Sequence, residues 1–192
     1  MRIQLIRHFK TAGNIQRRYI GRSDEALVLP VAITTPYKPA EIVITSPMRR
    51  CIETSRFIYP KTPMISCDKM RECDFGAFEG KTYEELKDLP AYIRWLDSKG
   101  EIAPPDGEGA SAFKKRCIAG FEEMIAVLIP KAYQAVSMVV HGGVIMAIMA
   151  AFNEEGRDFY QWQVGNGEGY SVLLDEQQWH QGKKRLMEIE KI

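Results

Sequence analysis

No apolar run in this chain approaches membrane-spanning length, which takes about 20 consecutive apolar residues. The first apolar segment, Ile3–Ile6, is interrupted by Gln4 and closed by Arg7, too short for a secretory signal. Cysteine is scarce. Cys51, Cys67, Cys73 and Cys117 form no CxxC pair, and no histidine stands at zinc-site spacing from them, so no metal-ligand motif is visible. Free thiols in a reducing cytoplasm follow as the expectation. A Cys67–Cys73 bridge stays open, although the composition does not require one. Nor is there a surplus of either charge: 26 basic residues face 25 acidic ones, for a net charge of +1. No global field therefore draws in nucleic acid or an anionic membrane, and any attraction for an anion must come from local clustering. Internal repeats and low-complexity tracts are lacking too.

What is present fits one globular domain. The 192 residues are 45% hydrophobic and 27% charged, ordinary values for a chain that buries a sizeable core. Short runs rich in Val and Ile predict strands at Ile3–Arg7, Glu41–Thr45, Val136–Val140, Tyr170–Leu174 and Arg185–Ile189, with a minor extended piece at Met64–Cys67. Helices are predicted at Pro47–Ile58, Thr82–Asp88 (where Thr82 and Glu85 form a capping box), Pro90–Ser98, Ala110–Leu128 and Gly143–Phe152, with a turn or two at Arg157–Gln163. Ala103–Gly109 reads as a loop beside a cleft. The alternation implies an α/β fold of three layers: a mostly parallel central sheet with helices on both faces.

Histidine is scarce as well, and here scarcity informs. There are three, His8, His141 and His180. His8 closes the first predicted strand in Leu5-Ile6-Arg7-His8-Phe9-Lys10-Thr11, and His141 closes another in Val139-Val140-His141-Gly142-Gly143. Clefts of open α/β sheets lie at such carboxyl ends. A third strand runs into Ser46-Pro47-Met48-Arg49-Arg50, so three segments converge on one sheet edge. Two imidazoles with nearby guanidiniums suit phosphoryl transfer. A neutral imidazole nitrogen can attack phosphorus and split one hard hydrolysis into two steps. Arginine forks match phosphate oxygens and can replace a metal, and the Gly142 and Gly143 amides at a helix start would add an anion site. A carboxyl must protonate the departing oxygen. On residues alone Glu72, Asp74 and Glu79 are equivalent candidates, and Arg49 competes with Arg50. His180 is expected in a surface turn without a role.

Four ordered blocks, Leu5 to Asn14, Ser46 to Thr54, Met70 to Thr82 and His141 to Gly143, resemble the histidine phosphatase superfamily, the phosphoglycerate mutase-like group. The resemblance implies that His8 is the nucleophile, that Glu72 donates and accepts the proton, and that Arg7, Arg50 and His141 bind phosphate. Thr11, Asn14 and Gly142 would line the same site. It implies no cofactor and no metal, a small phosphorylated metabolite as partner, and a cytoplasmic setting. The short Phe-Gly-x-Phe-Glu-Gly-Lys-Thr stretch looks most like the α-ribazole phosphatase and general phosphatase branch, with α-ribazole 5′-phosphate or sugar phosphates as substrates. A phosphoglycerate mutase is the alternative, and an inactive member that only binds a phosphorylated ligand is a third reading.

The chain departs from the pattern in three places. Phe9 stands where the family has glycine, which predicts a ring in the pocket wall. Gly107-Glu108-Gly109 replaces the Gly-Glu-Ser of many relatives. Between Leu27 and Ile42, Pro30, Pro36 and Pro39 occupy a stretch where relatives carry a long helix. Prolines at that density exclude one. One sheet face should then be thinly covered, which makes a homodimer across it an expectation.

Overall fold

The computed structural model describes residues 1–31, 33 and 36–192. Its centre is a six-stranded sheet in the order β3-β2-β4-β1-β5-β6, built from β1 (Arg2–Arg7), β2 (Ile42–Thr45), β3 (Met64–Ser66), β4 (Ala135–Val140), β5 (Gly169–Leu174) and β6 (Leu186–Lys191). β1, β2, β3 and β4 are parallel. β5 pairs antiparallel with β1, and β6 antiparallel with β5. The mostly parallel α/β sheet is as expected, and the last strand begins and ends slightly later than Arg185–Ile189.

Alternation along each strand assigns the two faces. Ile3 and Leu5 of β1, Ile42 and Ile44 of β2, and Val136, Met138 and Val140 of β4 join one core with Phe113, Cys117, Phe121 and Leu128 of α5 (Ala110–Leu128) and Ile145 and Ile148 of α6 (Gly142–Phe152). Each such aliphatic side chain stabilises the fold by roughly 1.5–3 kcal/mol through burial. On the opposite face Ile6, Val43 and Val139 pack on Cys51 of α2 (Arg49–Ile58) and on Tyr59. This second core is much smaller. Beside it runs a buried polar row, Ser137–Gln4–Ser171, across three paired strands. Gln4 meets the main chain of the proline-rich segment: its Nε2 donates to the Lys38 carbonyl at 2.9 Å and its Oε1 accepts from the Lys38 amide at 2.9 Å. A side-chain amide thus ties the main chain of this segment to β1. Of the Leu27–Ile42 stretch, Ala32, Thr34 and Thr35 lie outside the described residues. Leu29 and Ile33 are 64% and 51% exposed.

Shorter elements deviate from the sequence expectation at their ends. Thr82 does cap a helix through a box with Glu85, but only Tyr83–Leu86 (α3) is helical; α4 spans Pro90–Asp97. The Arg157–Gln163 expectation shrinks to a 3-10 turn at Phe159–Trp162. A short helix, Ala12–Ile15 (counted as α1 in the chain), escapes the periodicity argument because it makes barely one turn. His180 ends α7 (Glu176–His180), exposed between β5 and β6. The four cysteines are unpaired, so Cys67 and Cys73 form no bridge. Among the described residues no helix is long and apolar enough to cross a membrane.

Candidate active site

Register brings the two histidines together. β1 and β4 pair with Arg7 opposite Val140, and the His8 amide continues the ladder to the Val140 carbonyl at 3.0 Å. The next residues along the two strands, His8 and His141, therefore leave the sheet side by side. Their ring centroids are 5.2 Å apart at 67°. β2 lies on the other side of β4, and the Ser46 amide donates to Val139 at 3.2 Å, so the Ser46–Arg50 segment arrives at the same edge.

His8 is buried, 4% exposed. Its Nδ1 lies 2.7 Å from the carbonyl oxygen of Phe9. A carbonyl only accepts, so Nδ1 carries the proton and Nε2 keeps a free lone pair. Burial, followed by the Arg50 charge, holds the His8 pKa well below its ordinary value, and the Arg7 charge adds to that. The imidazole is therefore neutral, as a nucleophile requires. Its chain is fixed by two further bonds: the Phe9 amide donates to Thr54 Oγ1 at 3.0 Å, and Asn166 Nδ2 donates to the His8 carbonyl at 3.0 Å.

Arg50, not Arg49, faces the histidines. Arg50 is fully buried, whereas Arg49 is exposed and pairs with Glu53 one helical turn on. Arg50 Nε donates to His141 Nδ1 at 3.3 Å, Nη1 to the Ser23 carbonyl at 2.6 Å and Nη2 to the Gly21 carbonyl at 2.8 Å. With Nδ1 accepting, His141 bears its proton on Nε2, which lies 2.8 Å from Ser46 Oγ. Burial and the Arg50 charge lower the His141 pKa well below the usual range, so it is a neutral donor to Ser46 here rather than a charged one.

Arg7 stands at the end of β1. Its Nη1 donates to the Val164 carbonyl at 2.7 Å, while its buried Nε has no partner among the described residues. Beside it Glu72 accepts from the Cys73 amide at 3.0 Å and from the Gly143 amide at 3.1 Å. That corrects one expectation: the Gly143 amide at the start of α6 is taken by a carboxylate. The structure also separates Glu72 from its rivals. Asp74 accepts from the Gly76 amide at 2.8 Å, and Glu79 from the Gly21 and Ser23 amides at 2.8 and 2.9 Å. Of the three only Glu72 lines the open cavity.

That cavity, of about 340 Å³, begins at Arg7, Asn14, Glu72, Gly142 and Gly143 and continues between Tyr19, Phe75, Trp95, Phe113, Phe159 and Tyr160. Pro104 and Glu108 of the Ala103–Gly109 loop also line it. Thr11 does not. It is fully buried, and its hydroxyl caps Ala12–Ile15 by accepting from the Asn14 amide while Asn14 Oδ1 accepts from the Thr11 amide. Asn14 keeps its place in the wall. Phe9 is a second correction. Its ring is absent from the cavity lining and packs edge-on against Tyr37 at 6.3 Å and against Gly167. Among the described residues no group of three or more His, Cys, Asp or Glu forms that could hold a metal.

Sequence reasoning missed Asn166, Ser46 and the Gly21–Ser23 loop as supports. Asn166 follows no strand, and its partner is a carbonyl that no sequence pattern displays. Gly21 carries a readable sign only in hindsight: a Cβ there would stand 1.8 Å from the Cys73 carbonyl oxygen, so only glycine permits that approach.

Comparison with known proteins agrees with the geometry. The pattern of the histidine phosphatase superfamily (branch 1) matches residues 32–184, and the chain belongs to that superfamily. The matched stretch starts beyond Arg7 and His8, whose position is given by β1. An adenosylcobalamin/α-ribazole phosphatase of Escherichia coli is 27% identical over 162 residues, 78% of each chain. The uncharacterized phosphatase PhoE of Bacillus subtilis is 24% identical over 91% of this chain and 89% of its own. A bifunctional protein of Mycobacterium tuberculosis is 30% identical over 136 residues, 65% of this chain, which spans 37% of that relative's length. Among solved structures, an α-ribazole phosphatase from Shigella flexneri superposes with a TM-score of 0.74 over 92% of both chains at 24% identity. A phosphoglycerate mutase from Thermus thermophilus superposes with a TM-score of 0.66 over 98% of both at 24% identity.

Proposed function

We propose that the protein is a phosphatase that hydrolyses small phosphomonoesters through phosphohistidine at His8, with no metal in the reaction. The observation that carries this reading is the Nδ1 contact of His8 to Phe9 O at 2.7 Å in a buried ring, which leaves Nε2 unprotonated. Nε2 attacks phosphorus, the P–N bond forms, and the ester P–O bond breaks with its electron pair going to the departing oxygen. Glu72, as the carboxylic acid, gives that oxygen its proton, and in the second step its carboxylate takes a proton from the water that cleaves the P–N bond. Arg7, with its unpartnered Nε, Arg50 and His141 stabilise charge on the phosphoryl oxygens, and Gly142 lets the group approach Arg7. Arg50 and His141 must exchange some of their bonds to Gly21, Ser23 and Ser46 for phosphate oxygens.

The aromatic walls beyond Glu72 suit an ester whose alcohol carries a flat ring. That supports an α-ribazole 5′-phosphate-like substrate, in keeping with the activity named for the relatives, over a sugar phosphate. The inert-binder reading does not require the tautomer found at His8.

The test is p-nitrophenyl phosphate, a phosphometabolite panel and an alkaline denaturing quench of the working enzyme. Turnover with acid-labile phosphate on His8 is expected. His8→Ala should lower turnover by at least roughly 10⁴-fold while inorganic phosphate still binds. Turnover by His8→Ala at the wild-type rate would place the nucleophile elsewhere, and a wild-type protein inert towards the whole panel would leave the binder.

A further inference from the structure

Arg116 lies on α5 and takes no part in the chemistry just described, yet its guanidinium is heavily engaged. Nη1 donates to the carbonyls of Lys69 at 2.8 Å and Arg71 at 3.0 Å, and Nη2 to the carbonyl of Glu72 at 3.4 Å. Nε and Nη2 also grip both carboxylate oxygens of Glu108 at 2.9 and 2.6 Å. Glu108 is tied in turn to the same neighbourhood, since its amide donates to the Asp74 carbonyl at 2.8 Å. One planar fork thus gathers three carbonyls from four consecutive residues, the last of them Glu72 itself. That stretch has no strand partner: it follows the short turn Asp68–Met70 and leads into extended chain at Arg71. The Gly143 amide of α6 holds the Glu72 carboxyl at its tip, but no helix or strand holds the main chain that carries it, and proton transfer tolerates only a narrow range of distances.

We infer that the Glu108–Arg116 pair is a positioning device for Glu72, holding the main chain that aims the carboxyl across the cavity. A bidentate Arg–carboxylate pair is rigid enough for the task, and lysine cannot reproduce the fork. The inference rests on the reading of Glu72 as proton donor. It also gives Glu108 of Gly107-Glu108-Gly109 a purpose that does not need the missing serine.

The test exploits the leaving group. p-Nitrophenolate departs without a proton, whereas the alkoxide of 2-phenylethyl phosphate needs one. Because kcat/KM covers only the steps through departure of the alcohol, its ratio for the two esters reports the proton donor. Arg116→Met should lower kcat/KM for the alkyl ester about 100-fold, within the range of general-acid catalysis, and for the aryl ester less than about threefold. Glu72→Gln should show the same selectivity. Arg116→Lys should recover only part of the alkyl activity, and it carries the test if the methionine variant does not fold by circular dichroism and thermal melting. Equal losses on the two esters, or none, would overturn the inference by making Arg116 merely structural. A wild type that turns over neither ester removes the phosphatase reading itself, and this inference with it.

Discussion

Next to the Arg7–Gly142 end of the cleft, but outside its lining, His8, Arg50 and His141 are buried and hydrogen-bonded to one another, to Ser46 or to main-chain carbonyls. At the other, Trp95, Phe159 and Tyr160 present ring faces and edges, and Tyr160 is 57% exposed with one hydrogen bond, from its hydroxyl to the Lys99 carbonyl. The first end is held by directional bonds, each with a partner at a defined position. The second is held by area and shape. On the proposed reading phosphate, the constant part of any monoester, falls to the rigid end, and the variable alcohol falls to the end that tolerates change. Substitutions at the first end should therefore act on rate and proton transfer, and at the second on affinity and choice of substrate.

Glu72 sits where the two ends meet, and its replacement should have the largest effect of those that follow. Glu72→Gln should lower kcat for alkyl phosphomonoesters by about two to four orders of magnitude with the fold intact. Asp74→Asn and Glu79→Gln serve as contrasts. Their carboxylates accept main-chain amides of Gly76 and of the Gly21–Ser23 loop, so those variants should lose melting temperature before they lose selectivity for the leaving group. Rate losses on alkyl esters that rank Asp74→Asn above Glu72→Gln would reassign the acid.

Phe9 tests whether the rigid end is braced from behind. Its ring is 6% exposed and packs on Tyr37 and Gly167, outside the cavity. Phe9→Ala should cost roughly 3–5 kcal/mol of stability, as large-to-small changes in cores do, and leave KM for aromatic esters within about twofold. Urea unfolding and steady-state kinetics measure both. A large KM change on a stable variant would return the ring to the pocket wall, where the sequence alone had placed it.

That reversal marks how far sequence reasoning reaches. The parallel sheet, the convergence of three strand ends and the pair His8 and His141 were legible, because apolar runs, turn residues and rare histidines are local signals. That Glu72 rather than Asp74 or Glu79 faces the cavity was an expectation of the family resemblance alone, since three carboxylates within eight residues look alike until their amide partners are known. The orientation of Phe9, the capping duty of Thr11 and the support from Asn166 and Arg116 depend on carbonyls and amides contributed by distant segments. Gln4 is a similar case. An amide inside an apolar strand reads as an irregularity, and its sense emerges only when the Lys38 main chain is found pairing with it.

The protonation states of the rigid end predict a stability profile. His8 and His141 are held neutral by burial and by Arg50, with pKa values well below the ordinary one. The unfolded chain takes up protons on these imidazoles below about pH 6.5 while the folded one does not, so stability falls as pH drops through that range. Each histidine contributes up to roughly 1.4 kcal/mol per pH unit. His8→Gln removes one such group, and the stability gap between wild type and variant should shift by about that slope between pH 6.5 and 5, read from urea midpoints. A gap that stays constant over this interval would mean that His8 takes up its proton as readily in the native state as in the unfolded chain.

The smallest effect is expected at the far end, where the division between rate and affinity is most exposed to challenge. Tyr160 packs edge-on against Phe159 at 5.1 Å and lines the cavity, and it is exposed enough that its loss should leave the core undisturbed. An aromatic contact with a substrate ring contributes about 0.5–1.5 kcal/mol, which converts to a factor of about two to ten. Tyr160→Ala should raise KM for 2-phenylethyl phosphate by that factor with kcat nearly constant, and should leave both constants for glycerol phosphate unchanged. Parallel kinetics on the two esters measure this directly. If kcat falls while KM holds, the aromatic end shapes the transition state as well as the encounter, and the separation of the cleft into a chemical end and a recognition end gives way.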